Sequence, residues 1–125
     1  MKLVICEKPS VAKAVASALG VTSRADGCFE GNGLIVSWCV GHLVSPMDAA
    51  GYDPGYKKWK YDDLPILPEP FRYVLAKGKE DAFQNLRHLM EREDVTELVN
   101  ACDAGREGEL IFRLVYAVSY THLRA

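Results

Sequence analysis

Apolar residues recur along this chain in two rhythms, and each predicts a different kind of element. The opening run "KLVICE" is short, continuous and rich in β-branched residues, which predicts a buried strand. It passes directly into "KPSVAKAVASALG", a helical pattern. Pro9 suits the first helical position, Val11, Val15, Ala18 and Leu19 fall on one face, and Gly20 stops the helix. "CFEGNGLIVSWCV" predicts a hairpin with "GNG" as its turn. "RYVLA" reads as a further strand, and "KEDAFQNLRHLMER" as an amphipathic helix burying Ala82, Phe83, Leu86, Leu89 and Met90. "VTELVNAC" then predicts a strand and "EGELIFRLVYA" a closing helix.

From Leu43 to Phe71 no rhythm survives: five prolines, three tyrosines and a tryptophan fall without a period. A stretch of that length without an element is either functional or a cover for something else. The order of strand, helix, hairpin, long loop, helix, strand and helix predicts an α/β fold, with a largely parallel central sheet flanked by helices.

Composition narrows this little. A chain of 125 residues, 49% of them apolar, has material for one cored domain. No apolar run approaches the roughly 20 residues that cross a bilayer, so no membrane is expected as partner. "MKLVICEKPS" turns acidic too soon for a signal peptide. The four cysteines, Cys6, Cys28, Cys39 and Cys102, have neither C-x-x-C nor zinc spacing and read as reduced core thiols of a cytoplasmic protein. A net charge of −2 weighs against nucleic acid as partner, but "GYKKWK" is a local basic patch, and a cluster of acidic metal ligands would lower the total by itself.

The chemistry concentrates in "NACDAGREGELIF", residues 100 to 112. Sites in open α/β sheets form outside the carboxyl ends of the strands. Two charged turns hold that position: Glu7-Lys8 after the first strand, and Asp103 to Glu107 after the last. If those strands are neighbours, Glu7, Asp103 and Glu107 converge, and carboxylates drawn together call for a cation between them. Mg²⁺ suits such a place, since it takes oxygen ligands and shares them with a substrate phosphate. Lys8 and Arg106 would face that phosphate, while Gly105 and Gly108 let the backbone turn tightly. A second reading stays open, in which Asp103 caps the last helix and Glu107 and Glu109 favour its N-terminal dipole. No P-loop, dinucleotide fingerprint or serine-hydrolase motif is present.

Four blocks carry a resemblance: "VICEKPSVAKAVASALG", "VSWCVGHLV", "YDPGYKKWKYDDLPILPEPF" and "ACDAGREGELIFRLVY". Together and in this order they resemble the Toprim domain of type IA DNA topoisomerases, over residues 1–116. The resemblance implies a Toprim-like (Rossmann-like) fold, Mg²⁺ as cofactor, single-stranded DNA as partner and a nucleoid-associated place in the cytoplasm. It implies that Glu7 is a metal ligand placed for proton transfer, that Lys8 lies near the scissile phosphate, and that Asp103 and Glu107 are further Mg²⁺ ligands. Arg106 joins Glu7 and Lys8 as catalytic, and Lys8, His42, Trp59 and Arg106 are implied to touch DNA. Gly105 stands where many Toprim proteins carry a second aspartate, which removes one ligand. Trp38 is expected in the core, His88 in solvent and Glu109 in a structural role. The family's nucleophilic tyrosine belongs to a later domain, and none of Tyr52, Tyr56, Tyr61, Tyr73, Tyr116 and Tyr120 matches it. Residues 117–125, "AVSYTHLRA", leave the family pattern, so the chain reads as a fragment with a non-family extension, lacking the remaining topoisomerase domains. A Toprim nuclease or primase, or a DNA-binding module without chemistry, are the alternative functions.

Overall fold

The structure is a computed structural model that describes residues 1–119 and 122–125. Its centre is β1 (Lys2–Cys6), flanked in parallel by β4 (Leu34–Trp38) and β7 (Glu97–Ala101). On the far side of β4 lie β3 (Cys28–Gly31) and the edge strand β2 (Ser23–Ala25), giving the order β2-β3-β4-β1-β7. Both outer pairings are antiparallel, so only β3 runs against the other strands. The sheet is therefore mostly parallel, and the α/β expectation holds.

Burial on both faces explains the continuous apolar run of β1. Leu3 and Ile5 pack on one face with α3 (Glu80–Met90) and α4 (Arg106–Ser119). Val4 and Cys6 pack on the other with α1 (Pro9–Ala18). A central parallel strand has no solvated face, which removes any alternation. Phe83, Leu86, Leu89 and Met90 of α3 are buried, and Ala82 packs against the same cluster, as the helical pattern predicts. The inner face of α1 differs from expectation. Ala12 and Ala16 are its buried centre, Val11 and Val15 flank them, and Ala18 and Leu19 are exposed. Two alanines let the helix approach the sheet closely, and the buried face centres on them, not on the predicted stripe of Val11, Val15, Ala18 and Leu19.

The predicted hairpin is β3–β4, turning at Asn32 and Gly33, both with positive φ (52° and 75°). That is the left-handed pair a type I′ turn requires. A second hairpin, β2–β3, went unpredicted although Asp26-Gly27 is a turn signal. Ser37, fully buried, donates to the Gly27 carbonyl at 2.8 Å, and Asn85 donates to it at 3.1 Å, tying this turn to β4 and α3.

"RYVLA" becomes β6 (Tyr73–Leu75), which pairs antiparallel with β5 (Val44–Pro46) in a separate two-stranded sheet. The aperiodic segment is the excursion between them. It contains a one-turn helix, α2 (Ala49–Tyr52), and 3₁₀ turns at Pro54–Lys57 and Tyr61–Asp63. Its neck is closed by Tyr52, whose hydroxyl accepts from the Arg72 amide at 2.6 Å and whose ring lies 5.7 Å under the Arg72 guanidinium. Far from burying its apolar residues, the excursion leaves Trp59 74% and Tyr61 91% exposed.

At the other end, α4 runs on to Ser119, and Leu123 is buried in the core. The Leu98 amide donates to the Arg124 carbonyl at 2.7 Å beyond β7. Tyr120, among the tyrosines weighed above, lies outside the described residues.

Candidate functional site

Strand register builds the site. Cys6 of β1 pairs with Ala101 of β7, so the chain leaves both strands at the same level, and Glu7 and Asp103 emerge side by side. The Asp103 amide donates to Glu7 Oε2 at 3.4 Å. Both residues line one cleft with Gly105, Arg106, Glu107 and Leu110. Sequence reasoning missed Leu110, whose side chain stays exposed at the cleft although it lies within the apolar run of α4.

Two small features fix the turn. Asn100, the polar residue that interrupts the apolar run of β7, accepts from the Cys102 amide at 3.1 Å and donates to Glu109 at 2.8 Å. Gly108 is a true close approach: a Cβ there would lie 2.1 Å from the Asp103 carbonyl oxygen. Gly105 is different, because a Cβ there meets nothing within 4 Å and its φ is not positive. The expectation that both glycines are needed by the backbone holds for Gly108 alone.

α4 begins at Arg106, and among the described residues the Asp103 carboxylate accepts no hydrogen bond. It is exposed beside Glu7, not spent on the helix. Glu109 has a structural role, accepting from Asn100 and, at 2.6 Å, from Arg113. Lys8 and Arg106 are exposed, and neither forms an ion pair among the described residues.

Glu107 lines the same cleft and hydrogen-bonds through one carboxylate oxygen to His42 Nε2. His42 itself sits on the loop after β4, which Lys79 holds by donating to the Val40 carbonyl at 2.7 Å. Among the described residues no three acidic, histidine or cysteine side chains are gathered around a single point. The donor set nevertheless fits a magnesium ion, which is satisfied by one or two carboxylates, water and a phosphate. Glu7 and Asp103 offer the two carboxylates, and Glu107 lines the same cleft with one oxygen engaged by His42.

Beneath the strand ends lie three thiols. Cys6 is buried, and that burial pushes it up to about 11. A hydrogen bond between Cys39 and Cys102 raises the first and lowers the second. Cys6, Cys28 and Cys39 are buried, as expected of core thiols, and Cys102 is half-buried. Trp38 is half-buried against Phe29, less enclosed than its core reading supposes, and His88 is exposed on α3.

Trp59 is not in the cleft. It lines a separate apolar groove on the excursion with Met47, Tyr52, Leu64 and Phe71, next to the exposed Lys57, Lys58 and Lys60. Glu7, Asp103, Arg106 and Glu107 thus share one cleft, His42 reaches it through Glu107, and Lys8 follows Glu7 in the chain.

The family profile described as "Toprim domain" matches residues 2–125. A "DNA topoisomerase 3" of Shouchella clausii is 45% identical over 114 residues, which is 91% of this chain and 16% of that protein. One from Staphylococcus saprophyticus is 40% identical and one from Bacillus licheniformis 42% identical, each over 113 residues, 90% of this chain and 16% of the relative. The chain therefore spans 16% of the length of the curated relatives it matches.

Proposed function

This chain belongs to the Toprim domain family, and from that premise we propose that its cleft binds Mg²⁺ together with a backbone phosphate of single-stranded DNA, as part of a type IA DNA topoisomerase. The observation that carries the reading is the Asp103 carboxylate, which accepts no hydrogen bond among the described residues, beside Glu7, with Lys8 and Arg106, likewise without an ion pair among the described residues, at the same strand ends. Two carboxylates side by side at exposed strand ends offer the oxygen ligands that Mg²⁺ takes together with water and a phosphate.

Each residue then has a task. Glu7 and Asp103 hold the metal, and Glu107 adds its carboxylate from the same cleft. Mg²⁺, when bound, supplies positive charge that lets a phosphate approach the carboxylates. Lys8 and Arg106 orient the non-bridging phosphate oxygens, and Glu7 gives a proton to the sugar oxygen released when the strand is cut and takes it back when the strand is rejoined. His42 positions Glu107 and meets the strand at the cleft's rim. Trp59, with Lys57, Lys58 and Lys60, stacks and neutralises a neighbouring stretch of strand. The nucleophilic tyrosine sits in the rest of the enzyme, and storing the phosphodiester bond on it makes strand passage and rejoining reversible. On this reading residues 1–116 carry the motif blocks of the Toprim unit, and the enzyme works in the cytoplasm on chromosomal DNA.

An NMR titration of the 125-residue chain with Mg²⁺ tests the reading. Weak, saturable shifts are expected at residues 101–108. Glu7→Gln and Asp103→Asn should each weaken binding about tenfold, equivalent to about 1.4 kcal/mol. Identical titrations in wild type and both variants would overturn it.

A further inference from the structure

A second pocket opens on the face of the sheet that α1 covers, with Ser10, Lys13, Thr22, Arg24, Phe29 and Trp38 in its lining. The register explains how distant residues meet there. Arg24 lies cross-strand from Phe29, and Phe29 from Val36, two positions before Trp38. Residues directly opposite share a face, as do alternate residues of one strand, so Arg24, Phe29 and Trp38 all project to the α1 side. Ser10 and Lys13, three apart on α1, meet them from the helix.

The pocket has a floor and a rim of different character. Phe29 and Trp38 form the floor, with ring centroids 5.8 Å apart at 52°. Lys13 and Arg24 stand exposed at the rim, and neither has an ion pair among the described residues. No acidic side chain lines the pocket. The indole N–H of Trp38 also lacks an acceptor among the described residues.

We propose that this pocket is a nucleotide subsite, with the base against Phe29 and Trp38 and the phosphate against Lys13 and Arg24. Every base offers a π-face, and arginine and lysine neutralise the phosphate it carries. The hydroxyls of Ser10 and Thr22 suit the sugar between them. A nucleotide of a DNA strand and a free nucleotide share this chemistry. The strand is the favoured source, and only that choice rests on the proposed function. Glu7 and Ser10 belong to the same β1–α1 junction, so a strand held at the cleft has a neighbouring nucleotide close to this pocket.

The test follows the Trp38 indole and the Thr22 and Arg24 amides by NMR in the full chain, adding a short oligothymidylate in one arm and thymidine monophosphate in the other. The oligonucleotide should shift all three saturably. A Lys13→Glu/Arg24→Glu variant, changed only at exposed positions, should weaken that response at least tenfold while Trp59 still responds. Equal affinity for the mononucleotide would identify a free nucleotide as the ligand and still support the subsite. A Trp38 signal unmoved by both ligands, or moved equally in wild type and the charge-reversed variant, would overturn it. A response at Trp38 with a cleft indifferent to Mg²⁺ would sink the proposed function and leave the pocket standing.

Discussion

The Asp103 amide donates to the Glu7 carboxylate across 3.4 Å, joining positions 96 residues apart in the chain. The contact exists because β1 and β7 are parallel neighbours that end at one level. The sheet, not a bound ion, brings the two carboxylates together. Glu7→Gln and Asp103→Asn should therefore fold as well as wild type, within about 0.5 kcal/mol, as surface substitutions usually do. Adding Mg²⁺ should raise the melting temperature of wild type and not of either variant, because only the folded wild type binds it. Thermal melts with and without Mg²⁺ check this.

Gly105 and Gly108 should respond oppositely to alanine. A Cβ at Gly108 runs into the backbone of Asp103, which cannot give way, so Gly108→Ala should cost about 3 kcal/mol. Gly105→Ala meets open space and should be neutral or stabilise by about 0.5 kcal/mol. Urea denaturation of both variants measures the contrast. Gly105→Asp fits the same space, and a tighter Mg²⁺ constant is expected from the added carboxylate.

His42 engages one oxygen of the Glu107 carboxylate in a hydrogen bond. Removing that bond in His42→Ala should free both Glu107 oxygens for the cation and tighten Mg²⁺ severalfold. The gain should vanish in His42→Ala/Glu107→Gln. Calorimetric titration of wild type and both variants reads it directly.

Acid stability should depend on Arg92. Its guanidinium donates to both oxygens of Glu30, at 2.9 and 3.1 Å, and to Asp94. Hydrogen bonding to Arg92 lowers the Glu30 and Asp94 carboxyls below their ordinary range. Depressed folded values mean stability that is present above the unfolded carboxyl range and lost as pH falls through the folded values. Arg92→Ala should cost about 1 kcal/mol at pH 7, the upper end for a partly exposed bidentate pair. The difference from wild type should shrink below pH 4, in urea melts at pH 7 and pH 3.

The central strands and amphipathic helices were legible because their side chains answer to one buried face or two. β1 is apolar throughout since it is covered on both sides, and α3 shows its stripe plainly. The inner face of α1 was less legible because alanine carries little hydrophobic signal. The edge hairpin was missed because β2 buries none of its three residues, leaving only Asp26-Gly27 to mark it. At the site, Glu7 and Asp103 could be found from strand-end position alone. The pairing of His42 with Glu107 could not, since it joins the loop after β4 to the first turn of α4 and leaves no local pattern. Nor could the idle space at Gly105 be told from the crowded contact at Gly108, because a glycine in sequence does not say whether it is required.

The claim that the β1–β7 cleft joins a cation to a DNA phosphate is tested most directly by coupling. Binding of a short single-stranded oligonucleotide is measured by fluorescence anisotropy at fixed ionic strength, with Mg²⁺ and without it, for wild type and Asp103→Asn. Holding ionic strength constant matters, because released counterions alone make affinity salt-dependent. Mg²⁺ should tighten binding to wild type severalfold and leave Asp103→Asn unchanged. The same increment in both proteins, or none in wild type, would contradict the account.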